Sequence, residues 1–130
     1  MKHLETFEGA CELLGYNPKE VLPVVQKMPE ALAKATIAAT KLFIISEAAW
    51  KAENKNIDWN NYGQYKYYPW WDMETYGDQV GSAPGFSYDD CDCGRSGTHV
   101  GSRLVFPSRE AAKYVASQHY HLYRDMMVIE

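Results

Sequence analysis

Residues 29–54 constrain the fold of this chain more than any other segment. The stretch PEALAKATIAATKLFIISEAAWKAEN is rich in Ala, Leu, Lys and Glu, and it has no glycine or proline after Pro29. These residues have high helix propensity, and proline is well tolerated at the start of a helix. The sequence therefore predicts one long helix that begins after Pro29 and ends near Asn54.

The middle of this long helix is apolar on most of its sides. Four apolar residues, Leu42 to Ile45, are consecutive, and alanines are frequent on either side of them. A helix with so broad an apolar surface must be covered on more than one side. We therefore predict a central helix that is packed on two sides. A homo-oligomer, in which a second copy covers one side, is the alternative.

Capping residues mark two further helices. Thr6 precedes an amphipathic stretch that stops at Gly15, a residue suited to a left-handed helix C-cap. Ser108 precedes SREAAKYVASQHYHLYRDMM, in which apolar residues recur at helical spacing. The sequence thus predicts a short N-terminal helix, with Cys11 in its core face, and a second long helix at the C-terminus.

The segment between the long helices has the composition of strands and turns. Strand propensity is highest in QYKYYPWW, GFSYDD and THVGSRLVF, and Pro69 either confines the first of these to a sheet edge or ends it. The glycines of GRSGTHVGS are typical of a hairpin turn. With 130 residues and 46% hydrophobic residues, we expect one α+β domain over residues 1–130. Two long helices and a short N-terminal helix would pack on a small antiparallel sheet.

Net charge and cysteine content indicate which classes of partner and which cellular compartment are expected. The net charge of −4 and the pI near 5.5 give no general attraction to nucleic acid or to an anionic membrane. Glutamates interrupt the N-terminal region, and no later stretch approaches the roughly 18 apolar residues of a membrane span. Three cysteines, two of them only two residues apart, favour reduced thiols in a cytoplasm.

Three segments together resemble a known group of proteins: TFEGACELLGYNPKEVLP, YKYYPWWDM and GSRLVFPSREAAKYVASQHYHLYRDMMVI. The combination is similar to a family of small proteins from gut Bacteroidetes and their phages and mobile elements, and the resemblance spans nearly the whole chain. It implies a phage-related setting in the cytoplasm of a bacterial host cell. It implies no activity, no cofactor and no catalytic residue.

The aromatic segment around Pro69 is the first candidate site. In an extended chain Tyr65 and Tyr67 share one face while Lys66 and Tyr68 share the other, so both faces carry aromatic side chains. We predict that this segment binds a protein partner, with the site residues Tyr65, Tyr67, Tyr68, Trp70 and Trp71. The alternative is that these residues form the core of the small sheet.

The loop DDCDCGRSGTH is the second candidate site. Zinc would use Cys91, Cys93 and His99 with a fourth ligand from elsewhere, but Cys-x-Cys followed by a single histidine leaves the site one ligand short. An anion would use Arg95 and Arg103 together with the amides of the glycines. This loop is therefore the alternative hypothesis, a small-molecule binder or enzyme with or without zinc, and a plain turn remains the favoured interpretation.

The sequence gives less support to two further classes of function, nucleic-acid binding and catalysis. The C-terminal helix is mildly basic, so nucleic-acid binding through it is a third hypothesis, although the acidic neighbours of the aromatic segment argue against nucleic acid there. No nucleophile elbow or paired-carboxylate scaffold is present, and this favours a non-enzymatic protein. The sequence therefore predicts a phage or mobile-element accessory protein that binds a partner protein through an aromatic surface.

Overall fold

Four α-helices and a two-stranded antiparallel sheet form the fold in the computed structural model, which describes residues 1–73 and 86–129. A short 3-10 helix, Lys2–Leu4, precedes them. In chain order the elements are α1 (Phe7–Leu14), α2 (Glu30–Ala52), β1 (Lys66–Asp72), β2 (Ser87–Gly94), α3 (Arg109–Gln118) and α4 (Tyr120–Met127). The predicted α+β class is confirmed.

The helix ends follow the local sequence signals. Thr6 Oγ1 accepts a hydrogen bond from Gly9 N at 2.9 Å, and Ser108 Oγ accepts one from Ala111 N at 3.1 Å. Gly15 ends α1 with φ at 78°, a left-handed conformation that glycine adopts without a steric penalty. The predicted caps at Thr6, Gly15 and Ser108 are confirmed, as is the predicted long helix α2.

Helix α2 lies at the centre of the core. It packs against α1 on one side and against α4 on another, as its broadly apolar sequence predicts. Leu42, Ile45 and Ala48 are fully buried in these contacts, and Cys11 of α1 is buried with them. Helix α3 packs against both strands and against α4, so it joins the sheet to the helical layer.

Strands β1 and β2 pair in a register that tolerates proline. Tyr67 exchanges backbone hydrogen bonds with Phe106, at 2.9 and 2.7 Å, on the side of β1 that faces away from β2. Backbone groups alternate in direction along an antiparallel strand, so Pro69 also turns its nitrogen away from β2. The strand therefore runs through Pro69 without losing a hydrogen bond to its partner. Between Trp70 and Trp71 the register shifts by one residue, at Asp89.

Two sequence predictions about elements are wrong. The sequence predicts a strand over residues 98–106, but among them Phe106 alone makes a bridge. Gly94 is the last residue of β2, and Gly97 and Gly101 lie in the loop after it instead of in a hairpin turn. The predicted strand at residues 85–90 is present as the start of β2, and its first residue, Gly85, lies outside the described residues. Residues 98–106 do not form a strand because β2 pairs with one edge of β1. The other edge of β1 contacts this segment only through the bridge between Tyr67 and Phe106.

The C-terminal helix is interrupted at His119, contrary to the prediction of one continuous helix. His119 has φ −117° and ψ 32°, which ends α3 and begins α4. Its ring is buried, and Nε2 lies 2.7 Å from the carbonyl oxygen of Leu4. This contact links the helix junction to the N-terminal 3-10 helix. His121, two residues further on, is exposed.

Protonation of His119 is expected to destabilise the fold. Burial lowers the pKa of His119 below its ordinary value of 6.5, against a smaller raising effect of the Leu4 carbonyl. As the pH falls below 6.5, His119 therefore takes up a proton in the unfolded chain before it does so in the folded chain. The free energy of unfolding falls over this range, and it stops falling once the pH is below the pKa that His119 has in the folded chain. Urea unfolding of the wild type and of His119→Gln, whose amide also donates, checks this between about pH 7.5 and 5. The wild type should lose more stability than the variant; equal slopes would contradict the expectation.

Candidate functional site

Three tyrosine and two arginine side chains lie in a row beside β1. We call this surface the Tyr–Arg row; it consists of Tyr62, Arg95, Tyr65, Tyr67 and Arg109. The Arg95 guanidinium lies 4.9 Å from the ring centroids of both Tyr62 and Tyr65. Tyr65 meets Tyr67 edge to face at 6.2 Å, and Arg109 lies 5.5 Å from the Tyr67 ring. Five side chains thus form one continuous series of ring and cation contacts.

Strand geometry accounts for most of this arrangement. Tyr65 and Tyr67 are two residues apart on extended backbone, so they project to the same side, as the sequence predicts. Lys66 pairs with Gly94, and this register brings the next residue, Arg95, beside Tyr65. Arg95 Nη2 then donates a hydrogen bond to Tyr65 Oη at 2.8 Å, which fixes the plane of the guanidinium.

A buried lysine holds the loops that carry the row. Lys66 is fully buried, and its Nζ donates to the carbonyl oxygens of Asp58 and Arg95, both at 2.6 Å, and of Asn61 at 3.4 Å. The centroid of the Trp59 ring lies 5.0 Å from Lys66 Nζ, so this ring covers the ammonium group from another side. Asn61 directly precedes Tyr62. One ammonium group therefore joins the loop of Tyr62 to the turn of Arg95.

The side chains of the Tyr–Arg row are accessible to solvent, and contacts within the protein hold them in position. Tyr62 is 64% exposed and Tyr65 is 40% exposed, and both arginines are exposed as well. Arg109 also donates from Nη1 to the carbonyl oxygen of Cys91 at 3.0 Å, which restrains it against β2. Tyrosine and arginine held in fixed positions offer stacking surfaces and hydrogen-bond donors to a partner at low entropic cost.

The structure divides the five aromatic residues of the predicted partner site. Tyr65 and Tyr67 belong to the Tyr–Arg row. Tyr68 is buried, with its hydroxyl 3.4 Å from Asp92 Oδ2, and Trp71 is buried against Phe86, with stacked rings 4.6 Å apart. Trp70 is 49% exposed and projects from the opposite side of β1 to Tyr65 and Tyr67. The five residues therefore do not form one surface.

The residues of the zinc hypothesis do not converge. Cys91 is buried and Cys93 half-buried in β2, while His99 lies exposed in the loop that follows. Over residues 1–73 and 86–129, no group of three His, Cys, Asp or Glu side chains is placed to hold a metal ion. Burial raises the pKa of the Cys91 thiol, although Arg109 opposes the shift. Cys91 is therefore a protonated core thiol and a poor nucleophile.

The two arginines of the anion hypothesis serve different sites. Arg95 belongs to the Tyr–Arg row. Arg103 lines a groove of about 520 Å³ beside the C-terminal half of α2, together with Lys51, Lys55 and Glu47. The glycine-rich loop thus does not bring Arg95 and Arg103 to a common anion site.

The basic residues of the C-terminal region are divided between α3 and α4. Arg109 packs on Tyr67, Lys113 lines a groove with Tyr88 and Tyr120, and Arg124 lines another groove that includes the carboxylates of Glu30 and Asp125. Nucleic-acid binding usually requires a contiguous basic surface. Arg109 and Lys113 lie one helical turn apart on α3 and both act on the charge of Cys91, whereas Arg124 lies on α4 in a groove that also contains two acidic residues.

Sequence reasoning assigned two of the five residues of the Tyr–Arg row to the partner site. It found Tyr65 and Tyr67 and proposed Arg95 for a different role, but it missed Tyr62, Arg109 and the buried Lys66. A lysine between aromatic residues of a strand is the one local signal for Lys66. Comparisons with protein-family models, with curated proteins and with solved structures found no match. None of the described helices is both long enough and apolar enough to cross a membrane.

Proposed function

We propose that this chain is a non-enzymatic binding protein whose Tyr–Arg row docks onto a partner protein. The observation that carries the proposal is the fixed position of Arg95 between Tyr62 and Tyr65, which are 64% and 40% exposed. Tyrosine and arginine are enriched among the residues that dominate protein interfaces. A cation between two rings otherwise gives little stability at an exposed site, so binding is the better account of this surface.

The chemistry of the row favours a partner surface with carboxylates beside apolar groups. Arg95 and Arg109 supply two fixed positive charges, and guanidinium groups bind carboxylates through paired hydrogen bonds. The tyrosine rings supply flat apolar area next to those charges. A partner segment with an acidic residue flanked by apolar side chains would match both properties.

The biological setting is also a proposal. The resemblance to small proteins of gut Bacteroidetes, phages and mobile elements supports an accessory role in a bacterial host cell. The three cysteines are free, and unpaired thiols support a reducing compartment such as the cytoplasm. A homo-oligomer is compatible with this role, since a second copy would be one kind of partner.

Single substitutions in the row are expected to weaken partner binding without unfolding the chain. Tyr62→Ala and Arg95→Ala should each weaken binding by about 2 kcal/mol, or roughly thirtyfold, because each removes a stacked member of the row. Stability should change by less than about 0.5 kcal/mol, since both side chains are exposed. Affinity capture from a bacterial lysate identifies the partner, and calorimetry with the purified partner gives the affinities.

Trp70→Ala is the matched control for this experiment. It also removes a large exposed aromatic side chain, but from the other face of β1. The proposal requires that this variant keep the partner. If Trp70→Ala loses the partner while Tyr62→Ala keeps it, the binding surface is the face of Trp70. If the captured species is DNA or RNA with a steep salt dependence, nucleic-acid binding replaces the proposal.

A further inference from the structure

A groove of about 520 Å³ lies between the C-terminal half of α2, the turn that follows this helix and the loop after β2. It shares no residue with the Tyr–Arg row. Sites for small molecules typically have volumes of roughly 300–1,000 Å³ and combine apolar surface with a few polar groups. The groove therefore has the size of a small-molecule site, and its lining decides which class of molecule would fit.

Contacts within the chain hold both walls of this groove in place. Asn54 has a left-handed conformation, with φ at 56°, and Lys55 N donates to the carbonyl oxygen of Trp50 at 3.0 Å. These features end α2 and direct the next residues along one wall. At the other wall, Trp50 Nε1 donates to the carbonyl oxygen of Val105 at 2.9 Å, which fixes the loop of Arg103 against α2. The folded chain thus forms the groove before any ligand binds.

Apolar side chains form part of the lining. Leu14 of α1, Phe43 of α2 and Ile57 of the turn after α2 all reach the groove. Each of them is half-buried, so each leaves apolar surface accessible to a molecule in the groove. Covering such surface is favourable, because it removes apolar groups from water. A ligand of this groove is therefore expected to have an apolar body.

The charge of the groove has the opposite sign to that of the whole chain. The chain has 17 acidic and 13 basic residues, yet among the described residues three cations and one carboxylate line the groove. The cations are Lys51, Lys55 and Arg103, and all three are exposed, so a ligand can reach their charged groups. The carboxylate is that of Glu47, which accepts a hydrogen bond from the Tyr16 hydroxyl at 2.9 Å. The groove therefore attracts an anion more strongly than a cation.

Two of the three cations are available to such an anion. Lys55 Nζ lies 3.3 Å from the carboxylate of Glu53. Lys51 and Arg103, in contrast, form no salt bridge within residues 1–73 and 86–129. They belong to different segments, the last turn of α2 and the loop after β2. An anion that contacts both would be held from the helix and from the loop.

We propose that this groove binds a small organic anion that combines a carboxylate with an apolar ring. The carboxylate pairs with Lys51 and Arg103, and the ring covers the accessible surface of Leu14, Phe43 and Ile57. Arginine binds a carboxylate through paired hydrogen bonds, so Arg103 fixes its orientation. This site is separate from the Tyr–Arg row, and the two proposals are therefore tested independently.

Three probes separate the role of the charge from that of the apolar body. Indoleacetate has both, indoleacetamide has nearly the same shape without the charge, and acetate has the charge without the ring. In NMR titrations of the isotope-labelled full chain, indoleacetate should bind saturably and shift the backbone amide signals of Lys51 and Arg103. Indoleacetamide and acetate should each bind at least about fivefold more weakly, because each lacks one of the two favourable contributions.

Neutral variants of the two cations test whether the anion lies in the groove. Arg103→Gln and Lys51→Gln should each weaken indoleacetate binding by about two- to fivefold, the effect of one exposed ion pair, and leave indoleacetamide binding unchanged. Both variants should fold, since both side chains are exposed. Lys113→Gln is the matched control: it removes the same charge from a different groove, and it should not alter the binding of indoleacetate.

Three results would overturn the proposal. The first is an absence of saturable binding of indoleacetate. The second is equal binding of indoleacetate and indoleacetamide, since the cations would then play no part in recognition. The third is weaker indoleacetate binding in Arg95→Gln with no effect of Arg103→Gln, because the probe would then lie at the Tyr–Arg row. None of these results removes the support for partner binding at the row, which the Tyr62→Ala experiment tests.

Discussion

Replacement of Lys66 by methionine is expected to lower the free energy of unfolding by about 3 kcal/mol. Methionine fills a similar volume but has no donor, so the carbonyl oxygens of Asp58, Asn61 and Arg95 lose their shared partner. Burial lowers the pKa of Lys66, but only the charged ammonium supplies three N–H donors, and the contacts therefore require that form. Urea unfolding monitored by tryptophan fluorescence at neutral pH measures the loss.

The same loop offers the control for this substitution. Lys55 is exposed and pairs with Glu53 at 3.3 Å, so Lys55→Met should cost less than about 0.5 kcal/mol. A second test is chemical rescue: n-propylammonium should raise the melting temperature of Lys66→Ala more than sodium chloride of equal ionic strength does. Equal losses for the two methionine variants, together with an absence of rescue, would show that the ammonium group of Lys66 is dispensable.

The lysine also connects stability to the proposed binding surface. Lys66 holds the backbone beside Tyr62 and the backbone of Arg95 itself, so its loss frees the two segments that position the Tyr–Arg row. Ordering them on binding would then cost conformational entropy. We therefore expect Lys66→Met to weaken the partner complex even under conditions where the variant remains folded.

Local signals in the sequence were sufficient for most of the helices. Thr6, Gly15 and Ser108 act on backbone groups within a few residues of themselves, and this short range makes such caps readable from the chain alone. The helix after Pro29 is equally local, because its residues share high helix propensity over several turns. The α+β class followed from these helices and from the change in composition after Asn54.

Features decided by distant contacts could not be predicted in this way. Residues 98–106 have strand propensity, but only Phe106 finds a partner, and that partner is Tyr67. The break at His119 occurs where its ring meets the carbonyl oxygen of Leu4, at the opposite end of the chain. Propensity carries no information about which edge or carbonyl is within reach, so tertiary context determined both outcomes.

The candidate site was predictable only in part for the same reason. The two-residue spacing of Tyr65 and Tyr67 is local, and it correctly placed them on one face. Arg95 joins them through the pairing register of β1 and β2, and Arg109 joins them through the packing of α3. The sequence also could not decide which aromatic side chains enter the core: Tyr68 and Trp70 share one face of β1, yet only Tyr68 is buried, because distant segments cover one position and not the other.

Replacement of Trp71 by alanine is expected to destabilise the fold by about 3–5 kcal/mol, whereas Trp70→Ala should change stability by less than about 0.5 kcal/mol. Trp71 is buried among aromatic rings. The centroid of its ring lies 4.6 Å from that of Phe86, 5.0 Å from that of Tyr123 and 5.8 Å from that of Tyr120. Truncation would remove these contacts and leave a cavity that the rigid rings cannot fill. Trp70 is 49% exposed, and its removal exposes little new apolar surface.

These two variants form a matched pair because the same side chain is removed from neighbouring positions of one strand. Urea unfolding of both, followed by near-ultraviolet circular dichroism, measures the difference directly. A loss for Trp71→Ala as small as the one expected for Trp70→Ala would mean that the aromatic cluster around Trp71 does not stabilise the fold. A large loss for Trp71→Ala alone would assign this residue to the core and leave the exposed aromatic surface to Trp70 and the Tyr–Arg row, the two faces that the partner experiment distinguishes.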